Sequence, residues 1–201
     1  MAAQQDTSST HGAEIKLPLP KQAGGKPLLE ALKDRRSTRE FGDNELNVKV
    51  LSNLLWAAFG LNRLDGHRTA PSARNWQEID VYVALKRGLY LFDPHANVLR
   101  QVVAEDIRAA TGMQDFVGTA PLNLVYVADL ARMSASDRTE QRFYSAIDTG
   151  FISQNVYLFC ASEGLATVVR GLVDRRSLAK LMQLRPQQRV IVAQTVGYPK
   201  D

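Results

Sequence analysis

Between Asn47 and Gly60 the apolar residues Val48, Leu51, Leu54, Leu55, Ala58 and Phe59 recur at three- and four-residue steps. That spacing predicts an amphipathic helix, capped by Asn47 and stopped by Gly60. A shorter run starts at Pro27, where a first helical turn tolerates proline, sets Leu28, Leu29 and Leu32 on one face and ends near Arg35. The longest periodic stretch runs from Ser136 to Glu163 and closes at Gly164, with Phe143, Ile147, Phe151, Val156 and Leu158 among its apolar positions. A helix of that length is expected to cross the middle of the core. Period-two alternation appears instead in "IDVYVAL", "LYLFD" and "VLRQV", separated by turns near Gly88 and Pro94, which predicts an antiparallel meander. "AEDIRAATG" predicts a short helix, "APLNLVYVAD" a buried strand, "LATVVRG" a strand, "DRRSLAKLMQL" a helix and "QRVIVAQTVGYP" a final strand. Helices and strands mix without a regular βαβ repeat, so the fold class expected is α+β rather than doubly wound.

The chain has 201 residues, enough for one well-buried domain. Residues 1–26 are polar and rich in Ser, Thr, Gly and Pro, which marks a flexible arm ahead of a body spanning 27–201. Twenty-five Lys and Arg against twenty-one Asp and Glu leave only +4, without a run of one sign, which argues against a nucleic-acid partner. Cys160 is the sole cysteine, so an intrachain disulfide and a multi-thiolate metal site are excluded. Its apolar setting suits a small buried hydrophobe. His11, His67 and His95 match neither a metal-ligand spacing nor a hydrolytic triad. No apolar run is long enough to span a membrane, and the start lacks the pattern of a signal peptide. A cytoplasmic location is expected, with export as the alternative if a signal has been removed.

Three stretches carry candidate chemistry. In "DRRSTREF", Arg35, Arg36 and Arg39 flank Ser37; paired guanidinium donors and a hydroxyl suit a phosphate monoester, although a solvated helix end would also place cations there. In "APSARNWQ", Pro71 and Ser72 suit a tight turn, while the Asn75 and Gln77 amides offer the mixed donors and acceptors of a heterocycle edge, or ordinary turn capping. In "TVVRGLVD", Gly171 after a strand lets a flat ligand approach the main chain, where the amide of Arg170 or Gly171 can donate; a plain strand end is the alternative.

Taken in order, "RRSTREF", "PSARNWQ" about 35 residues later, "EGLATVVRGLVD" and a late "VGYP" resemble the nitroreductase family of FMN-dependent oxidoreductases, over roughly residues 27 to 199. The resemblance implies a nitroreductase-like α+β fold, a mostly antiparallel central sheet flanked by helices, and an intertwined homodimer with FMN at the subunit interface. It implies that Arg35, Arg36, Ser37 and Arg39 hold the FMN phosphate and ribityl chain and reach the pyrimidine edge. Pro71, Ser72 and Asn75 would come from the partner subunit, the backbone of Arg170 and Gly171 would face flavin N5, and Lys200 would assist at the phosphate. NADH or NADPH would deliver hydride to N5, and a nitroaromatic or quinone would then be reduced in a ping-pong cycle. Arg39 is the electrostatic candidate; no protein nucleophile and no metal is required. The long helix is the expected centre of the interface. One departure is that "EI" follows "PSARNWQ" where many members have Pro-Trp. This looks more like the branch of azoline-type peptide dehydrogenases. The alternatives are therefore a flavin dehydrogenase acting on a peptide-borne ring or C–N bond, or a non-enzymatic FMN-binding module. Trp56 and Phe59 line the cavity or pack the core.

Overall fold

The computed structural model describes residues 13–133 and 137–200. Seven strands form one sheet: β1 (Glu14–Lys16), β2 (Ile79–Leu85), β3 (Gly88–Asp93), β4 (Val98–Val103), β5 (Leu122–Asp129), β6 (Ala166–Arg170) and β7 (Gln188–Gly197). Their order is β1-β4-β3-β2-β5-β7-β6, and each neighbouring pair is antiparallel. Four α-helices flank it: α1 (Leu28–Asp34), α2 (Val48–Phe59), α3 (Arg138–Glu163) and α4 (Arg175–Leu181). The α+β expectation, the meander and the final strands are all present. Among the described residues no helix is long and apolar enough to cross a membrane.

Strand alternation divides the core into two layers. Along β2, Ile79, Val81, Val83 and Leu85 face the layer that holds α2 and α3, while Tyr82 and Ala84 face the layer that holds α4. The same split puts Leu122, Leu124, Tyr126 and Ala128 of β5 on the first side, and Val125 and Val127 on the second. Such full burial on both faces explains why these strands read as nearly continuous apolar runs. Helix α2 fulfils its sequence pattern: Asn47 Oδ1 accepts from the backbone N–H of Lys49 and Val50, and Leu51, Leu54, Leu55, Ala58 and Phe59 are buried. Phe59 thus packs the core, and Trp56 is half-buried with its indole N–H donated to Leu61 O. Cys160 is buried, and burial pushes its thiol pKa up.

Four expectations need correction. Residues 13–26 do more than drape as an arm: β1 adds an edge strand beside β4, and Lys21 N–H bonds Asn53 Oδ1; the arm before residue 13, with His11, lies outside the described residues. In α1 the leucine face is not buried; Leu28, Leu29 and Leu32 are exposed and Ala31 alone is covered. The segment before Gly112 forms only a 3-10 turn at Arg108–Thr111, and the Arg108 guanidinium binds Asp106 and Ala120 O. Helix α3 begins at Arg138, capped by Asp137, and the expected start at Ser136 lies outside the described residues. Its buried positions are Ser145, Asp148, Thr149, Ile152, Ser153, Val156 and Cys160, whereas Phe143 and Phe151 face outward, 59% and 44% exposed. The helix does cross the core, with a polar stripe turned inward.

Leu54 is fully enclosed between α2 and the sheet. Leu54→Ala should lower unfolding free energy by about 2–5 kcal/mol through lost burial and a residual cavity, measured by urea titration.

Candidate functional site

Strand β6 is the last strand of the sheet, and its outer edge has no neighbouring strand among the described residues. Thr38 N–H donates to Thr167 O at 2.9 Å, and Val169 N–H donates to Tyr157 Oη at 3.0 Å. Tyr157 Oη also bonds Ser37 Oγ at 2.8 Å. One tyrosine of α3 therefore ties the "RRSTREF" segment to the sheet edge. Beside it opens a cavity of about 430 Å³ lined by Lys26, Lys33, Arg35, Arg36, Tyr157 and Thr167, among others. Arg35 follows α1 directly, with Cζ 5.4 Å from the Tyr157 ring centroid, a cation–π arrangement that orients the guanidinium without consuming its donors. Asp34 is the only carboxylate lining the cavity, and its pKa is lowered chiefly by the hydrogen bond from Lys26 Nζ at 2.6 Å. Four cations against one carboxylate make a local excess of positive charge suited to an anion.

Arg39 does not share that cavity. The chain runs extended past Thr38, Phe41 bridges to Pro199, and Gly42 N–H donates to Tyr198 O, which carries Arg39 into the next cleft. That cleft, of about 1180 Å³, also holds Lys200, with Phe41, Phe116 and Tyr198 as its aromatic wall. The two openings adjoin, since Gly164 and Pro199 line both. The arginine trio is thus divided two and one.

The "APSARNWQ" loop forms a 3-10 turn at Ala73–Asn75, and within the loop Arg74, Asn75 and Gln77 have positive φ, at 49°, 53° and 49°. Three non-glycine residues in the left-handed region store strain that the surroundings must hold. Ala73 N–H donates to Asp148 Oδ2 at 2.9 Å, Arg74 pairs with Glu140, and Trp76 stacks edge-on against Tyr144, all on the first half of α3. Inside the loop, Ser72 Oγ donates to Glu78 Oε2 and accepts from Gln77 N–H. The Gln77 amide is used internally as well: its oxygen accepts from Arg68 Nε, and its nitrogen donates to Asn75 Oδ1 and Gly66 O. Pro71, Ser72 and Asn75 line a small cavity of about 180 Å³ with His67 and Arg68.

Arg170 and Gly171 end β6. The Arg170 side chain is 3% exposed and donates only to neutral acceptors: Thr195 Oγ1, Thr111 O, Asn123 Oδ1 and, at longer range, Gln114 Oε1 and Thr111 Oγ1. Burial lowers its pKa to about 10. Gly112 lies against this guanidinium, where a Cβ would collide with Nη1. Gly171 is exposed, and a Cβ there would meet nothing within 4 Å, so the main chain is open to a planar ligand.

Two of the three sequence-predicted groups therefore gather along β6: Arg35, Arg36 and Ser37 at its edge, with Arg39 and Lys200 adjacent, and Arg170 and Gly171 at its end. The Pro71–Asn75 loop sits elsewhere. Its contacts on α3 fall at positions 140, 144 and 148, whereas the arginine cavity is anchored at Tyr157. At 1.5 Å per residue these anchors are about 14–26 Å apart along one helix. Sequence reasoning missed Tyr157, Glu78 and Asp148. For Asp148, the inward spacing of Ser145, Asp148, Thr149 and Ser153 was a usable signal.

The profile described as "Nitroreductase family" matches residues 32–198. The crystal structure of a candidate nitroreductase from Ralstonia eutropha is 47% identical, covering 96% of this chain and 92% of that one at a TM-score of 0.90. The Escherichia coli microcin synthetase McbBCD complex with truncated pro-MccB17 gives a TM-score of 0.74 at 22% identity, covering 84% of this chain and 70% of that one. The NADPH:FMN oxidoreductase of Vibrio harveyi, complexed with NAD+, gives 0.66 at 22% identity, covering 87% and 69%. The last two are likenesses of fold.

Tyr157→Phe removes the hydroxyl shared by Ser37 and Val169 and leaves an edge amide unpaired. The expected cost is about 1–3 kcal/mol of stability by denaturant titration, together with faster hydrogen exchange at the Val169 amide.

Proposed function

The chain belongs to the nitroreductase family, and from that premise we propose that it is a cytoplasmic FMN-dependent oxidoreductase that works as a homodimer. The observation that carries this reading is the separation of two complementary half-sites on one helix: a cationic cavity at Tyr157, and an amide-bearing loop at Asp148 and Glu140. Neither alone would hold a phosphorylated flavin. The donor set fits FMN, with Arg35 and Arg36 of the cavity and the adjacent Ser37, held by Tyr157, for the phosphate end and the open main chain at Gly171 for the ring. Arg39 and Lys200, in the adjoining cleft, add positive charge toward the pyrimidine end or the phosphate.

The outward face of α3 supports a second subunit. Phe143, Ile147, Phe151 and Leu158 form a stripe at helical spacing in which the two phenylalanines are exposed and Ile147 and Leu158 half-buried, and an added Cβ at Gly150 would meet empty space. An antiparallel helix pair centred between Gly150 and Phe151 sets Phe143 against the partner's Leu158. The same register lays stretch 140–148 of one helix beside 153–161 of the other. That brings the strained loop of one subunit to the arginine cavity of its neighbour, so two equivalent sites form across a twofold axis.

FMN, when bound, supplies the redox chemistry, taking hydride at N5 from NADH or NADPH and passing reducing equivalents to a nitroaromatic or quinone. The residues of this chain bind, orient and electrostatically bias; none is placed as a nucleophile. Donor and acceptor would share one open face, which gives ping-pong kinetics. A second reading, oxidation of a peptide-borne ring or C–N bond, is favoured by Glu78 at the position that follows the loop motif, where the resemblance leads one to expect proline. Rapid NADH or NADPH consumption with a quinone supports the first reading, and its absence in a yellow protein supports the second.

The purified protein should carry FMN and run as a dimer. Arg35→Ala should weaken FMN binding by about 1.5–3 kcal/mol in a fluorescence titration; unchanged affinity removes the phosphate role. Phe151→Asp should split the dimer on size exclusion and release the flavin, and a dimer that keeps its colour would overturn the proposed register.

A further inference from the structure

Beneath the strained loop lie two carboxyl groups that the site chemistry does not use. Glu78 is fully buried and Asp148 is 1% exposed. Each gives one oxygen to the loop: Glu78 Oε2 accepts from Ser72 Oγ at 3.2 Å, and Asp148 Oδ2 accepts from Ala73 N–H at 2.9 Å. The other oxygens, Glu78 Oε1 and Asp148 Oδ1, are buried and have no partner among the described residues. Among the described residues no cation pairs with either acid. Arg68 is directed to Gln77 and the Phe59 carbonyl, Arg74 to Glu140, and His67 to Asp65; Arg132 pairs with Asp80 and Asp129, and Arg185 with Asp129. Both groups are enclosed within the single chain.

Two carboxylates buried together without a cation cannot both ionise, because each lacks water and repels the other. A shared proton resolves both problems at once, since it supplies the missing donor between the two free oxygens. We infer that Glu78 and Asp148 share one proton and act as positioning residues, a latch that holds the 71–77 loop in its left-handed turn and opens when that proton leaves to solvent. The wider protonation behaviour agrees: the Glu78 pKa is raised to about 7, first by burial and further by the Asp148 charge.

The sign of the pH dependence follows. The folded-state pKa of Glu78 lies above its ordinary value of 4.5. Between those limits the folded chain keeps a proton that the unfolded chain has lost, so stability falls as pH rises from about 4.5 to about 7, then levels. Glu78→Gln should remove this slope, because a neutral amide donates to Asp148 permanently while its oxygen still accepts from Ser72.

The test uses the full-length protein with and without FMN. In thermal melts from pH 5 to pH 8.5, the wild-type midpoint should fall relative to Glu78→Gln by at least about 4 °C. The wild type at pH 5–6 should show an infrared band of a buried protonated carboxyl that is absent from the variant; this measurement stands even if the variant folds poorly. The coupling to the ligand loop rests on the reading of the loop as part of the flavin site: FMN affinity of the wild type should weaken about five- to tenfold from pH 6 to pH 8.5, and that of Glu78→Gln should not. Parallel melting curves, a missing carboxyl band, or a midpoint raised by millimolar calcium and reversed by chelator would each overturn the shared proton. Flavin affinity that stays flat while the melting curves diverge would overturn the latch. A protein that never binds FMN would instead sink the function proposed above, with the melts and the infrared band still deciding the proton.

Discussion

A 26-residue helix that turns Ser145, Asp148, Thr149 and Ser153 toward the sheet while presenting Phe143 and Phe151 to the outside sets the constraint on which the remaining structure depends. Polar groups buried in this way need partners; Ser145, Asp148 and Ser153 find them in particular places, while the Thr149 hydroxyl has none among the described residues. Asp148 takes the Ala73 amide, Ser145 Oγ reaches Met133 Sδ, and the Ser153 carbonyl accepts from Gln194 Nε2. Each partner fixes a different piece of chain against the helix. The helix is therefore less a hydrophobic filler than a rail on which loop, sheet and sheet edge are registered. Its spacing keeps the loop and the arginine cavity apart within one chain, and its outward face carries the exposed Phe143 and Phe151.

How much of this was legible in the sequence depends on what each residue faces. Helix α2 was read correctly because its apolar stripe is covered by its own sheet, so periodicity and burial agree. Helices α1 and α3 follow the same periodic rule, yet Leu28, Leu29, Phe143 and Phe151 are left exposed by the described residues. Hydrophobic spacing reports that a face is to be buried and is silent on whose atoms bury it. The candidate site shows the same limit. "RRSTREF" located the cationic region, but the division of Arg35 and Arg36 from Arg39 comes from the Phe41–Pro199 bridge, a contact between residues far apart in the chain. Tyr157 was unreadable for the same reason: nothing in its own helix signals that its hydroxyl meets Ser37 and Val169. The loop motif was located but its amides were misjudged in availability, since Gln77 is occupied by Arg68, Asn75 and Gly66.

The two sides of the candidate site also differ in how they are held. On the β6 side, Arg170 places a buried guanidinium among acceptors from Thr195 of β7, Asn123 of β5 and the turn at Thr111. Removing a cation from water costs several kcal/mol, and neutral acceptors offset only part of that. The return is geometric, because one planar donor fork fixes three elements behind the exposed Gly171. On the loop side the geometry is strained, and it is held by few bonds to two acids.

That contrast bears on how charge is arranged. Cations that an anionic ligand would neutralise, Arg35 and Arg36, stand at an open cavity where water meanwhile solvates them. The cation that no ligand reaches, Arg170, is enclosed among dipoles, and the acids Glu78 and Asp148 are enclosed without any cation. An enclosed charge is tolerable when its hydrogen bonds are complete, as at Arg170. It is untenable when two like charges face one another with free lone pairs, and then a proton is the smallest group that restores balance. The rigid wall of the site therefore holds its charge in a complete set of hydrogen bonds, while the strained loop is tied to two enclosed acids whose free oxygens have no partner among the described residues.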